Sequence, residues 1–175
     1  LRGDDRTIIN NLKKISIPTI IGLGAGLTHC YPNLKRISKI MRNLFPDAWI
    51  VTGGAITSSA NVILNKTDID ICVVGDGEIP FFKLVKYIEK YPKREFPSFN
   101  DLSSIQGLAF LNENKKLKVT GNGEPLTADE ASEIHYPDYS VMREGLEKFH
   151  GNGNAVHKFF GTIENLDQIK EFFAQ

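Results

Sequence analysis

Three short apolar runs in this chain each end in glycine. Pro18-Thr19-Ile20-Ile21 runs into Gly22-Leu23-Gly24-Ala25-Gly26-Leu27-Thr28, and Trp49-Ile50-Val51 runs into Thr52-Gly53-Gly54-Ala55-Ile56-Thr57. Ile69–Val74 runs into Gly75-Asp76-Gly77-Glu78. Runs of this length, β-branched and closed by glycine, predict strands feeding tight turns. Between them the apolar period changes to that of helices. Leu34, Ile37, Met41 and Leu44 share one face behind Pro32, and Phe81, Leu84, Val85 and Ile88 share another behind Pro80. Asp4 or Asp5 is placed to cap a first helix over Asp5–Ile15, with Ile8, Leu12 and Ile15 on one face. Ser58 or Ser59 is placed to cap a short one reaching Leu64.

Alternating helices and buried strands predict a parallel sheet with right-handed crossovers and helices on both faces, a flavodoxin-like or Rossmann-like α/β fold. The pattern then changes. Gly107–Leu111 and Lys115–Thr120, around Asn112-Glu113-Asn114, predict a β-hairpin able to extend the sheet as an antiparallel edge. Residues 121–140 read as extended chain, followed by short helices over Val141–Phe149 and Leu166–Phe173 with a joint at His150–Asn154.

Composition narrows the function. At 175 residues and 41% hydrophobic, the chain can bury one packed domain with a small appendage. Equal numbers of Lys+Arg and Asp+Glu, 21 each, argue against a nucleic-acid or anionic-membrane surface. No apolar run reaches the roughly 20 residues of a membrane span. Cys30 and Cys72 form no disulfide framework, and with His29, His135, His150 and His157 they show no metal-ligand spacing. The charged N-terminus is no signal peptide, so a reducing cytoplasm is expected. Lys35, Arg36, Lys39 and Arg42 are expected on a solvated helix face rather than in a binding patch.

In an open α/β sheet, ligands gather at the carboxyl ends of the strands, so the three glycine loops form the candidate rim. Gly22-Leu-Gly24-Ala-Gly26 departs from G-x-G-x-x-G at Leu27, and the acidic residue of a dinucleotide site is missing. No Gly-Lys-Ser/Thr and no G-x-S-x-G occurs, which removes the P-loop and the hydrolase elbow. Asp68 and Asp70 lie at the wrong end of their strand to act with Asp76 and Glu78, and Glu78 suits the start of the following helix. Cys72 is a small core residue on this reading, while His29 and Cys30 lie on the rim.

Four motifs in succession resemble a known family. They are Ile50-Val-Thr-Gly-Gly54, Asp70-Ile-Cys-Val-Val-Gly-Asp-Gly-Glu78, Ile105-Gln-Gly-Leu-Ala-Phe110 and Tyr136-Pro-Asp-Tyr139. Their order over about residues 5 to 142 resembles the cobalamin-binding domain N-terminal to the catalytic core of many radical SAM enzymes. The resemblance implies a non-catalytic accessory domain that presents cobalamin to a radical centre, as in a methyltransferase or a related enzyme. It assigns contact with the corrin and its nucleotide tail to Gly24, Gly26, Thr28, Gly53, Gly54, Thr57, Gly75 and Gly77. Gly24 and Gly26 stand where cobalamin domains carry a Ser-x-Leu pair, and Asp76 replaces the usual glutamate. The cobalt-ligating Asp-x-His-x-x-Gly motif is absent, and so is the cysteine trio of a [4Fe–4S] cluster.

The resemblance therefore implies a partial domain. Residues 1–120 correspond to a cobalamin-binding-like unit lacking its first strands, and 121–175 to a linker and short helices leading towards an absent radical SAM core. S-adenosylmethionine and the iron–sulfur cluster would belong to that core, acting in cis. An open sheet edge would then invite a missing segment or a second copy. Two alternatives stand beside this: a degenerate module that only docks, and, disfavoured by the missing acidic residue, a nucleotide-binding enzyme.

Overall fold

The computed structural model describes residues 4–26, 28–94 and 99–133. The expected helices beyond residue 140, Tyr136–Tyr139 and the three later histidines fall outside these residues. In chain order the elements are α1 (Asp5–Leu12), β1 (Ile20–Gly24), α2 (Tyr31–Leu44), β2 (Trp49–Gly53), α3 (Ala60–Lys66) and β3 (Ile71–Val73). There follow α4 (Glu78–Lys90), α5 (Phe99–Ser103), β4 (Leu108–Leu111), β5 (Leu117–Val119) and α6 (Ala128–Glu133). The five strands form one sheet in the order β1-β2-β3-β4-β5. β1, β2 and β3 are parallel, and the β4–β5 hairpin continues the sheet antiparallel. This is the expected α/β fold, with helices on both faces.

Residue alternation divides the core between those faces. Ile50, Cys72 and Ala109 meet α1, α2 and α3 through Ile8, Leu34, Ile37, Met41 and Ile63. Trp49, Val51, Ile71, Val73, Leu108 and Phe110 meet α4 and α5 through Leu84, Ile88 and Leu102. Trp49 is wholly buried, donates Nε1–H to the Tyr91 carbonyl at 3.0 Å, and meets the Tyr87 ring edge-on at 6.0 Å.

Several local expectations change. Asp4 caps α1 by accepting from the Thr7 N–H at 2.8 Å, but the helix stops at Leu12. Ile15 is 53% and Ile17 85% exposed, because the chain must straighten ahead of Pro18. Neither serine side chain caps α3; the Ser58 hydroxyl donates to the Ala55 carbonyl within the preceding 3₁₀ turn. Two helices appear that the apolar period does not announce, α5 and α6. Thr127 and Glu130 start α6 as a capping box, Thr127 N–H donating to the carboxylate at 2.9 Å and Glu130 N–H to the hydroxyl at 3.3 Å.

Arg42 departs furthest from the solvated face expected of it. It donates to the carbonyls of Pro46, Ala48 and Asp68, and to Asp70 Oδ2 at 2.6 Å. Asp70 also accepts from the Ile50 N–H at 2.8 Å and from Arg94 at 3.0 Å. This buried carboxylate therefore ties α2, β2 and the entry to β3 at the end of the sheet away from the glycine loops. Burial raises its pKa, against the opposing pull of the Ile50 N–H, Arg42 and Arg94.

Replacing Arg42 by alanine is expected to cost about 3–5 kcal/mol in urea unfolding, since it leaves a buried charge and several carbonyls short of a partner. With the folded pKa above the unfolded one, the ionised carboxylate is disfavoured in the fold at neutral pH. The penalty should accordingly shrink as pH falls through the raised pKa. Tyr87 provides the opposite case. Its hydroxyl is buried without a hydrogen-bond partner, and burial pushes the phenol up to about 12. Tyr87→Phe should leave stability unchanged or raise it by up to about 1 kcal/mol, and a larger loss would show that the hydroxyl has a partner.

Candidate functional site

β1, β2 and β3 all end at the same rim, and on the α4 face their side chains dwindle towards it. Along β1 that face carries Ile20, Gly22 and Gly24; along β2 it carries Trp49, Val51 and Gly53, in register with them. Along β3 it carries Ile71 and Val73, and Gly75 follows the strand. Large side chains therefore hold α4 against the lower sheet, while towards the rim the glycines of β1 and β2 leave space beside Val51 and Val73.

The space left is an open groove of about 370 Å³. Gly22, Gly24 and Gly53 supply its floor with Val51 and Val73, and Gly77, Glu78 and Phe81 form the side towards α4. A Cβ placed on Gly22 or Gly24 meets nothing within 4 Å, and one on Gly53 comes no nearer than 4.0 Å to the Val73 carbonyl. These glycines relieve no crowding in the fold. Their missing side chains are the cavity. Phe81 is 40% exposed beside it rather than lying in the core stripe with Leu84 and Ile88.

The other expected site residues shape the loops. Gly54 has φ +93°, and a Cβ there would fall 2.8 Å from the Ala25 carbonyl oxygen, so only glycine lets the first two loops touch. The Thr57 side chain is buried and its hydroxyl donates to the Gly54 carbonyl at 2.8 Å, which holds that turn. Gly75 turns the third loop with φ +79°. Gly26 and Thr28 are exposed in the first loop, ahead of and within the 3₁₀ turn Thr28–Cys30. The groove thus brings Gly24, Gly53 and Gly77 together, but not Gly26, Thr28, Gly54, Thr57 or Gly75.

Gly22, Val51, Val73, Glu78 and Phe81 join the groove although the sequence assigned them no ligand contact. Counting alternate residues back from Gly24 and Gly53 finds the first two. Cys72 is buried and its thiol pushed up to about 12 by that burial, which removes it from any reactive role at neutral pH. Cys30 is half-buried and His29 exposed on the rim. No Lys, Arg or His among the described residues lines the groove. Among the described residues no group of His, Cys, Asp and Glu is placed to hold a metal, and no helix is long and apolar enough to cross a membrane.

Among solved structures the fold recurs in OxsB, a cobalamin-dependent S-adenosylmethionine radical enzyme. Its apo, selenomethionine-labelled structure matches with TM-score 0.56 and 22% identity, over 79% of this chain and 18% of that one. The structure with aqua-cobalamin and S-adenosylmethionine bound matches with TM-score 0.49 and 22% identity, over 69% of this chain and 16% of that one. At this identity the likeness is one of fold, carried by the first comparison. The chain spans less than a fifth of the length of these neighbours. No family model and no curated protein matches it.

The two classes of glycine separate on substitution. Gly54→Ala should destabilise the fold by about 1–3 kcal/mol, from strained backbone and the clash with Ala25. Gly24→Ala, whose methyl enters open space, should stay within about 0.5 kcal/mol of the parent in the same denaturant titration.

Proposed function

We propose that this chain is the cobalamin-binding accessory domain of a radical SAM enzyme, of the methyltransferase or a related type, and is itself non-catalytic. The observation that carries this reading is the flat groove floored by the glycines Gly22, Gly24 and Gly53 with Val51 and Val73. A flat aromatic base, such as the one ending the nucleotide tail of cobalamin, fits a slot of this kind better than a branched or charged group. Gly22, Gly24 and Gly53 would let the base lie against the sheet, Val51 and Val73 would exclude water beneath it, and Phe81 would flank it. Gly26, Thr28, Gly54 and Gly75 would present backbone from the loops to the corrin, with Thr57 holding the second loop. The departure of Gly22-Leu-Gly24-Ala-Gly26 from the dinucleotide fingerprint at Leu27 disfavours a dinucleotide pyrophosphate.

When bound, cobalamin supplies a cobalt centre able to carry a methyl group. The chain's own part is to bind the cofactor, orient it and keep water from its tail. S-adenosylmethionine and the [4Fe–4S] cluster would be held by a radical SAM core in cis. The fold shared with part of a cobalamin-dependent radical enzyme supports this assignment.

One observation favours a docking module instead. Gly24 leaves the groove without the hydroxyl that a serine would offer, and the nearby Thr52 hydroxyl already donates to the Leu23 carbonyl at 2.6 Å. A visible-absorption titration with hydroxocobalamin, followed by desalting, decides between the two. The accessory-domain reading expects about one retained, spectrally shifted corrin per chain, as for a single pre-formed site. It also expects Gly53→Val to lose the corrin while unfolding at the parent's denaturant midpoint, since the added side chain fills the groove and not the core. Clean separation of corrin from the parent chain would count against cofactor binding by this chain.

A further inference from the structure

Residues 121–126 belong to neither helix nor strand, yet among the described glycines the closest approach falls here, at Gly123. At the start, Thr120 is buried, and its hydroxyl accepts from the Leu108 N–H at 2.8 Å and donates to the Leu108 carbonyl at 3.1 Å. At the far end, Glu124 pairs with Lys83 of α4 at 2.8 Å. Between these ties the chain passes behind the loop joining β3 to α4. Gly123 N–H donates to the Val74 carbonyl at 3.3 Å.

At Gly123 and Gly107 the fit is too close for any side chain. A Cβ on Gly123 would lie 2.2 Å from the Asp76 carbonyl oxygen and 2.8 Å from Pro80 Cγ. One on Gly107, where φ is +81°, would lie 2.6 Å from Gly123 Cα and 2.7 Å from Pro80 Cγ. One on Gly75 would lie 3.4 Å from Gly123 N. The strap thus backs Gly75 and Asp76, and the residues immediately after them, Gly77 and Glu78, line the groove.

We infer that Gly123 is a positioning residue for the groove. By letting the strap lie flush behind Gly75–Gly77, with Gly107 opening the room, it sets how far the third loop leans over the glycine floor. Resting on the cofactor reading above, this extends the site to a segment that touches no ligand. A methyl group at Gly123 drives the Asp76 carbonyl away and shifts Gly77 and the first turn of α4 relative to Gly24 and Gly53.

Gly121→Ala is the matched control. It also places a methyl in a tight spot, at φ +97°, but its near neighbour is the Gln106 side-chain oxygen at 2.7 Å, which can swing aside. In the full chain, Gly123→Ala should weaken hydroxocobalamin binding by about tenfold to a hundredfold, as misplacing a pre-formed wall does, and Gly121→Ala by less than about threefold. A second readout needs no ligand. Amide exchange at Val74 and Phe81, whose N–H groups donate to the Gly107 and Gly77 carbonyls, should accelerate in Gly123→Ala. Exchange at Thr57, in the second loop, should stay at the parent rate.

Equal loss of binding in both variants, or unchanged exchange at Val74 and Phe81, would overturn the role given to the strap. Accelerated exchange in a protein whose parent binds no hydroxocobalamin would uphold the strap while rejecting the cofactor reading. Should Gly123→Ala not fold, Lys83→Ala with Glu124→Ala frees the strap at its exposed end. Unchanged exchange at Phe81 in that variant would overturn the proposal as firmly.

Discussion

The groove depends on one constraint: a helix laid across parallel strands stands off from the sheet by the size of the side chains beneath it. Here Trp49 and Ile71, then Val51 and Val73, support α4 from below, while Gly22, Gly24 and Gly53 leave its upper flank without a floor of side chains. A close-packed interior leaves few voids, so a sizeable gap between sheet and helix persists only where its lining is held from elsewhere. The lower sheet and the strap through Gly123 do that holding.

The buried charge cluster and the groove lie at opposite ends of the same strands. At the amino ends a buried carboxylate, Asp70, gathers Arg42, Arg94 and the Ile50 N–H into one knot. At the carboxyl ends β1 and β2 give up side chains at Gly22, Gly24 and Gly53. A rim built on bare backbone contributes little to its own folding, so it rests on the packed core below it.

Much of this architecture is legible in the chain. Buried strands as continuous apolar runs, and α2 and α4 as amphipathic stripes behind proline, follow from period alone, and so does the hairpin around Asn112–Asn114. What period misses has particular causes. It carries α1 on to Ile15, although Pro18 already bends the chain away. It passes over α6, whose start is written in Thr127 and Glu130 rather than in apolar spacing. It places Arg42 in water, because the partner that draws it inward is 28 residues distant. For the site, glycine runs mark the right strand ends but suggest a rim of loops. That Gly22, Gly24 and Gly53 share one face with Phe81 above them emerges only once β1 and β2 are set in register. Gly107 and Gly123 carry no motif that pairs them, since their meeting is a matter of tertiary path.

The chain's only tryptophan adds an optical consequence. Trp49 begins the strand that Gly53 ends, and four residues of strand separate its backbone by about 13 Å from Gly53 at the rim end of the groove. Sealed from water, it emits as an apolar-site fluorophore for as long as the core is intact. A coloured molecule in the groove would lie well within energy-transfer range of it, whereas unfolding would instead move its emission to the red. Dimming and reddening are thus separate signals from one native residue, which lets occupancy and folding be followed together without a label.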